Sequence, residues 1–312
     1  MSVKKNEFSF PSSNGVNTIR GIKIWSEETE PKAVLEIAHG MVEHYDRYID
    51  FMEYMAENGF VVYMHDHLGH KHSVDSDEDL GYFAKENGYK HILKDMYHVS
   101  KMARKENPDL KLFLLGHSMG SFYARSFAGI YPDAIDGLLI SGTGAGAGPM
   151  GLAKCLIDAI IAIKGDRYRS EKINNMIFSG YLSKIENPRT KSDWITRDNE
   201  IVDKYVADKY CQFTFTLSGF KDLVSILSLA NSDKTYKDTN KDLPVYIFSG
   251  SMDPVGDYGA GVMKVYDKYK SSGSKDVTVK IYDGGRHEML NELNRNEVYE
   301  NILAWTLSKL ED

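Results

Sequence analysis

The pentapeptide Gly116-His117-Ser118-Met119-Gly120 has the Gly-x-Ser-x-Gly pattern of a serine nucleophile. A β-type run over 112–115 precedes it and a helix-like stretch follows it. The serine of such a turn lies at a sharp strand-to-helix junction, and the flanking glycines are needed because a Cβ there would collide with neighbouring backbone. The sequence therefore predicts that the Ser118 hydroxyl is exposed at the carboxyl edge of a parallel sheet.

A serine hydroxyl is a poor nucleophile at neutral pH, so it needs a histidine base and an acid that orients this base. His287 is the only histidine after His117 in the sequence. It follows a predicted strand over 277–282, at the sheet edge where a base is required. We therefore assign His287 as the base.

The acid of the predicted triad should lie between the serine and the histidine in chain order. Asp253 follows a predicted strand over 245–248, which places it on a loop at the same sheet edge. Asp257 and Asp283 are the alternatives, and they fit less well because neither follows a strand at the required spacing. Asp253 is our assignment.

Ester or amide cleavage also needs two N–H donors for the developing oxyanion. One is the backbone N–H of the residue after the nucleophile, Met119. The segment His39-Gly40-Met41 follows the first predicted parallel strand, and we assign the second donor to the Met41 backbone N–H. His39 and Gly40 would support this loop.

Strand-like and helix-like segments alternate along most of the chain, and this alternation is typical of a parallel, doubly wound α/β sheet. An edge hairpin is predicted around Asn14-Gly15. From about residue 142 the pattern becomes helical for some 90 residues. We therefore predict an α/β core over 1–141 and 236–312, interrupted by a helical cap over 142–235.

Composition limits the partners of this chain. Of its 312 residues, 42% are hydrophobic and 27% charged, and the formal net charge is −7. A negative chain is a poor partner for nucleic acid, so we expect a small-molecule substrate. The most apolar stretch is broken by Lys154 and Asp158, and we predict no membrane span.

Cysteine usage and the N-terminal segment favour a cytoplasmic protein. Cys155 and Cys211 have no metal-ligand spacing, and both are expected to be buried free thiols. The first residues lack the apolar core of a secretory signal.

Four histidines over 65–72 invite a metal interpretation, namely His65, His67, His70 and His72. They lie in a predicted loop without the helical ligand pair of a typical zinc site, so we expect a structural or site-lining role. The serine mechanism needs no metal, and neither a metal nor a cofactor is predicted.

Two apolar segments of the cap, 152–163 and 213–230, have wide helical periodicity. Packing within the cap and onto the core explains them. An acyl-chain tunnel, or a lid face that transiently contacts lipid aggregates, would explain them as well.

Several motifs together resemble one family over nearly the whole chain. They are His39-Gly40 with Glu43-His44 and Arg47-Tyr48, Asp66-His67-Leu68-Gly69-His70, the Gly116–Gly120 turn, Asp253-Pro254-Val255-Gly256 and Gly284-Gly285-Arg286-His287-Glu288. The sequence resembles the capped α/β-hydrolases of the monoacylglycerol lipase and lysophospholipase type, which are related to the serine aminopeptidases. The resemblance implies the same triad and the same two oxyanion donors.

We therefore expect a serine hydrolase that cleaves carboxylic esters with an apolar acyl group through an acyl-enzyme. An aminopeptidase or amidase, or a thioesterase, on the same triad is the alternative. An aminopeptidase would need a cap carboxylate for the substrate ammonium, with Asp158, Glu186 and Glu200 as candidates. If the protein were a non-catalytic binding protein, its intact triad pattern would be a coincidence.

Overall fold

The computed structural model of the chain describes residues 2–146 and 150–310. Residues 147–149 of the predicted cap, and residues 1, 311 and 312 of the predicted core, lie outside the described residues.

One sheet of eight strands runs through the centre of the described chain. The strands are β1 (Val3–Pro11), β2 (Thr18–Ser26), β3 (Ala33–Ala38), β4 (Phe60–His65), β5 (Lys111–His117), β6 (Gly137–Ser141), β7 (Val245–Gly250) and β8 (Val277–Tyr282). Their spatial order is β1-β2-β4-β3-β5-β6-β7-β8. The strands from β3 to β8 are parallel, whereas β1 and β2 form an antiparallel hairpin at one edge. The predicted mostly parallel sheet and the edge hairpin are confirmed.

Ten α-helices lie in the described residues: α1 (Ile49–Glu57), α2 (Gly88–Glu106), α3 (Met119–Ile130), α4 (Met150–Lys164), α5 (Glu171–Ile177), α6 (Asn199–Ala207), α7 (Leu217–Ala230), α8 (Asp233–Asp238), α9 (Ala260–Ser271) and α10 (Arg295–Ser308). Helices α4 to α8 all fall between β6 and β7, where the sequence predicts the cap. The predicted cap boundary after residue 235 falls inside α8.

Both faces of the sheet are covered by helices, which is why the parallel strands are apolar on both sides. In β5, Leu112 and Leu114 point into the core beneath α2, α3 and α9, whereas Phe113 and Leu115 point into the core beneath α1 and α10. This alternation follows from the two-residue period of a strand. The double cover fixes the register of the strands, because a slip by one residue would exchange the two sets of side chains.

The register places the ends of four strands at one edge. Ala38 of β3 pairs with Gly116 of β5, and Gly250 of β7 pairs with Tyr282 of β8. The segments that carry Met41, Ser118, Asp253 and His287 follow these ends. Loops beyond the carboxyl ends of parallel strands are where open α/β sheets build their sites.

Arg125 of α3 ties both ends of the cap segment to the core. Its guanidinium is fully buried and donates to the carbonyl oxygens of Gly144 (3.1 Å) and Ala230 (2.8 Å). It also contacts the Tyr236 hydroxyl. Since Gly144 precedes α4 and Ala230 ends α7, one side chain holds both ends of the segment from α4 to α7.

In the described parts of the chain, none of the helices combines the length and the apolar character that crossing a bilayer would require.

Candidate active site

Ser118 occupies a backbone conformation that few side chains adopt. Its φ is 53° and its ψ is −119°, between the end of β5 and the start of α3. The glycines on both sides are required by space: a Cβ on Gly116 would lie 2.3 Å from the Gly120 carbonyl oxygen, and a Cβ on Gly120 would lie 2.1 Å from that of Ala38. The predicted sharp turn is therefore present, and Ser118 lies at its tip.

His287 and Asp253 lie side by side beyond β8 and β7. His287 Nδ1 is 2.9 Å from Asp253 Oδ1, and both side chains are buried. Asp253 also accepts hydrogen bonds from the Ser249 hydroxyl and the Val255 N–H, each at 2.9 Å. These bonds fix the carboxylate, so that it can orient the imidazole and leave Nε2 as the free ring nitrogen.

The electrostatics of this pair oppose the effect of burial. Burial by itself lowers the pKa of His287, but the Asp253 carboxylate and its hydrogen bond outweigh burial and raise that pKa above the usual 6.5. Burial likewise raises the pKa of Asp253, yet His287, Ser249 and the Val255 N–H bring it below its usual value. Asp253 is therefore ionised at neutral pH.

Ser118 and His287 line the same cavity, whose volume is about 530 Å³. The turn after β6 passes close to them: a Cβ on Gly142 would lie 2.9 Å from His287 Cε1. The His117 ring packs against the His287 ring at 4.7 Å between centroids. A substrate in this cavity can therefore reach both the hydroxyl and the imidazole.

The alternative acids do not contact the histidine. Asp283 is exposed and accepts a hydrogen bond from the Ser251 hydroxyl at 3.4 Å. Asp257 is exposed at the cavity wall, with a φ of 49°. In the chain as described, the carboxylate that bonds to the His287 ring is that of Asp253.

The loop that contains Met41 is held at the peptide group before it. The His67 N–H donates to His39 Nε2 at 2.8 Å, so the proton of the neutral ring is on Nδ1. His39 Nδ1 then donates to the Gly40 carbonyl at 2.7 Å. Because the carbonyl and the next N–H of a trans peptide point in opposite directions, the Met41 N–H points away from His39.

Glu43 holds the peptide before this one, between His39 and Gly40. Its Oε1 accepts the Gly40 N–H at 2.5 Å and the Tyr48 hydroxyl at 2.8 Å. Within residues 2–146 and 150–310, the Met41 N–H donates to no backbone acceptor. The Met119 N–H is also available, because the first N–H groups of a helix have no intrahelical acceptor. Both predicted oxyanion donors border the cavity.

Arg47 connects the Met41 loop to the His287 loop. Its guanidinium donates to Glu43 Oε2 at 2.8 Å and to both oxygens of Glu288 at 2.8 and 2.6 Å. Burial would lower the pKa of Arg47, but the two carboxylates raise it well above its usual value. The guanidinium therefore stays charged and holds the neighbour of His287 against the loop of Met41.

The profile of the family described as "Serine aminopeptidase, S33" matches residues 29–294 of the chain. The chain belongs to this family.

The relatives of this chain include two proteins that are named as lipases. The monoacylglycerol lipase of Mycolicibacterium smegmatis is 25% identical over 310 residues, which are 99% of this chain and 100% of the relative. The human monoglyceride lipase is 26% identical over 287 residues, which are 91% of this chain and 85% of the relative.

Solved structures agree with these relatives. A thermostable carboxyl esterase from Bacillus coagulans in complex with glycerol superposes with a TM-score of 0.92 at 27% identity, covering 98% of this chain and 99% of that one. The predicted capped α/β-hydrolase of the monoacylglycerol lipase type is confirmed, as is the prediction of a carboxylic ester hydrolase.

The cap supplies one aromatic wall of the cavity that Ser118 and His287 line. Phe178, Tyr181 and Trp194 all line it, and the Trp194 ring lies 4.9 Å from the His287 ring. Tyr205 of α6 lies over the Arg47 guanidinium at 4.7 Å. The sequence analysis missed these residues, because no local pattern indicates which cap side chains face the core.

Helix α7 has one face in the core and another at the cavity. Phe220 and Ile226 are fully buried in the core, whereas Leu223 and Leu227 line the cavity. The wide apolar face of α7 therefore combines packing with a wall for an apolar ligand.

The histidines of the 65–72 segment lie beneath the Met41 loop. His65, His67 and His70 are completely buried, and burial lowers the pKa of each, so all three are neutral. His70 Nε2 accepts the Val42 N–H at 3.4 Å. In the part of the chain that is described, none of the three converges with two further ligand atoms.

One expectation about the cysteines is wrong. Cys211 is buried, but Cys155 is exposed. Cys155 lies on α4, most of whose residues face away from the rest of the protein. Apolar periodicity could not reveal this, because the exposed face of α4 is itself apolar.

The position of Gly40 gives a test of the oxyanion loop. A Cβ there would lie 2.5 Å from Glu43 Oε1 and 3.0 Å from Ser118 Cβ. We predict that Gly40→Ala displaces the Met41 N–H and lowers kcat by about 10²–10³ on a soluble ester, with a smaller change in KM. Steady-state kinetics on purified protein measure both constants.

The matched control is Gly151→Ala, because a Cβ at Gly151 meets nothing within 4 Å. It should keep the kcat of the unmodified protein. A fully active Gly40→Ala variant would contradict the assigned role of the loop.

Proposed function

We propose that this chain is a monoacylglycerol or lysophospholipid type lipase with Ser118 as nucleophile, His287 as base, Asp253 as acid, and the Met41 and Met119 N–H groups as oxyanion donors. Residues 142–235 act as its cap. The observation that carries the proposal is that Ser118 and the buried His287–Asp253 pair open into one largely apolar cavity of about 530 Å³. Cavities of this size accommodate an extended small ligand.

The reaction proceeds in two halves. Ser118 Oγ attacks the acyl carbon while His287 takes its proton, and the oxyanion is stabilised by the two N–H groups. His287 then gives the proton to the leaving alcohol, and the acyl group stays on Ser118. In the second half His287 takes a proton from water, whose oxygen attacks the acyl-enzyme, and the fatty acid leaves as Ser118 regains its proton.

The carboxylates suggested for an aminopeptidase do not line the cavity. Asp158 lies on α4 and contacts Lys221, and neither it nor Glu186 nor Glu200 is part of the cavity wall. Two carboxylates that do line it, Glu43 and Glu288, are occupied by Arg47, so a substrate ammonium would have to compete with this guanidinium there. Asp257 also lines the wall, where its carboxylate is exposed.

A substrate panel tests the proposal. The panel contains monoacylglycerols and lysophospholipids of short, medium and long acyl chain, the matched acyl thioesters, and amino-acid p-nitroanilides, with Ser118→Ala as the blank. We predict the highest kcat/KM on an ester with a medium or long acyl chain, because the acyl group removes apolar wall from water. Faster turnover of the anilides would refute the lipase assignment, and faster turnover of the thioesters would favour a thioesterase.

We also propose that α4 contacts lipid aggregates. Leu152, Leu156 and Ile163 lie on this cap helix and keep 69%, 52% and 80% of their area exposed. An exposed apolar helix face of this kind is typical of contact with a lipid surface.

A cytoplasmic location is proposed as well, and the free thiols of Cys155 and Cys211 support it.

We predict that Leu152→Glu slows hydrolysis of monoacylglycerol in vesicles several-fold more than hydrolysis of a monomeric ester, because the charge opposes insertion of α4. The ratio of the two rates is the measurement. Val16→Glu is the control, since Val16 is 81% exposed in the hairpin turn outside the cap. An equal ratio in both variants would argue against lipid contact through α4.

A further inference from the structure

A second cluster of chemically active side chains lies where the Met41 loop meets the cap. His44 belongs to that loop, and Asp208 and Cys211 flank a short turn directly after α6. One ligand atom from each residue lies within 4.8 Å of the other two. His44 Nε2 and Asp208 Oδ2 are 2.8 Å apart. None of the three residues lines the catalytic cavity.

Two of these groups are already oriented by a further partner. Asp208 Oδ1 accepts the Tyr210 N–H at 2.8 Å, which leaves Oδ2 directed at His44. On the opposite side of the imidazole, His44 Nδ1 faces Asp46 Oδ2 at 3.2 Å. Asp46 is itself held by the Lys71 ammonium at 2.6 Å. A carboxylate behind a histidine is the arrangement that orients metal-bound imidazoles.

The second carboxylate beside His44 suits a metal-bound ring. His44 Nδ1 is buried, and Asp46 Oδ2 lies 3.2 Å from it. A ring that binds a cation through Nε2 carries its proton on Nδ1, where Asp46 can accept a hydrogen bond.

We propose that His44, Asp208 and Cys211 form a Zn²⁺ site. Nitrogen, carboxylate oxygen and thiolate sulfur are the donors that zinc prefers, whereas Ca²⁺ and Mg²⁺ require oxygen. On binding, the Cys211 thiol proton is released to solvent, and zinc then carries one thiolate, one carboxylate and one neutral imidazole. The charges cancel, and the fourth position takes water.

The location gives the site a consequence for the cap. His44 lies three residues after Met41 in the same loop, and Asp208 and Cys211 belong to the cap segment that starts with α6. A bound ion replaces one hydrogen bond between them with three metal–ligand bonds. It therefore fastens the cap to the loop that carries an oxyanion donor. The site itself does not depend on the proposed reaction.

Zinc titration of chelator-treated full-length protein tests the site. Equilibrium dialysis should give one tightly bound Zn²⁺ per chain, and Co²⁺ in its place should produce a thiolate-to-metal charge-transfer band. Cys155→Ser is the matched control, because it removes the exposed thiol and keeps Cys211. It should retain both signals, whereas Cys211→Ser should lose the band and most of the affinity. Asp46→Asn should weaken binding about 10–100-fold.

Thermal unfolding supplies a second readout. Zn²⁺ should raise the Tm of the unmodified protein and of Cys155→Ser but not that of Cys211→Ser, because the ion stabilises only the state that binds it. Absence of saturable binding or of the charge-transfer band in the Cys155→Ser protein would overturn the proposal. So would Cys211→Ser that binds zinc as tightly as the unmodified protein. If Cys211→Ser does not fold, undiminished binding by His44→Gln would have the same meaning.

Discussion

The active site depends on the buried contact of Arg47 with Glu43 and Glu288. Two carboxylates this close to each other would repel, and a buried charge without a partner is strongly destabilising, so the guanidinium is indispensable. Removing one member of such a group typically costs about 3–5 kcal/mol, mainly because the remaining charges are left unpaired. Glu43 fixes the Gly40 N–H, and Glu288 is the neighbour of His287. One ion cluster thus sets the separation of the two loops that carry Met41 and His287.

The backbone of the site is strained at two residues. Ser118 is held at a φ of 53°, and Val42 beside the oxyanion loop has a φ of 57°. Such conformations persist only where the surroundings determine them, here through the glycines of the turn and the buried histidines below the loop. The proposed nucleophile and N–H donors are therefore positioned before the substrate arrives, and little reorganisation is needed during the proposed reaction.

The sequence was sufficient to predict the strands and loops that depend on local patterns. The strands that precede Met41, Ser118, Asp253 and His287 are short apolar runs bounded by turns. Their order along the chain restricts which of these residues can cooperate. The Arg47–Glu288 pair is separated by 241 residues and the His44–Asp208 pair by 164. No local sequence pattern indicates that the residues of either pair are in contact. The exposure of Cys155 escaped prediction because an apolar helix face is ambiguous between core and lipid.

We propose that Ser118 is a nucleophile activated by the His287–Asp253 pair, and the rate of fluorophosphonate labelling across pH 5 to 9 is the decisive measurement. We expect a label on Ser118 whose rate rises through the pKa of His287, above 6.5, because only neutral imidazole accepts the serine proton. Asp253→Asn should label far more slowly, with its rise at lower pH, since the carboxylate that raises this pKa is gone. Labelling of Ser118→Ala at an equal rate, or a rate that does not change with pH, would contradict the account.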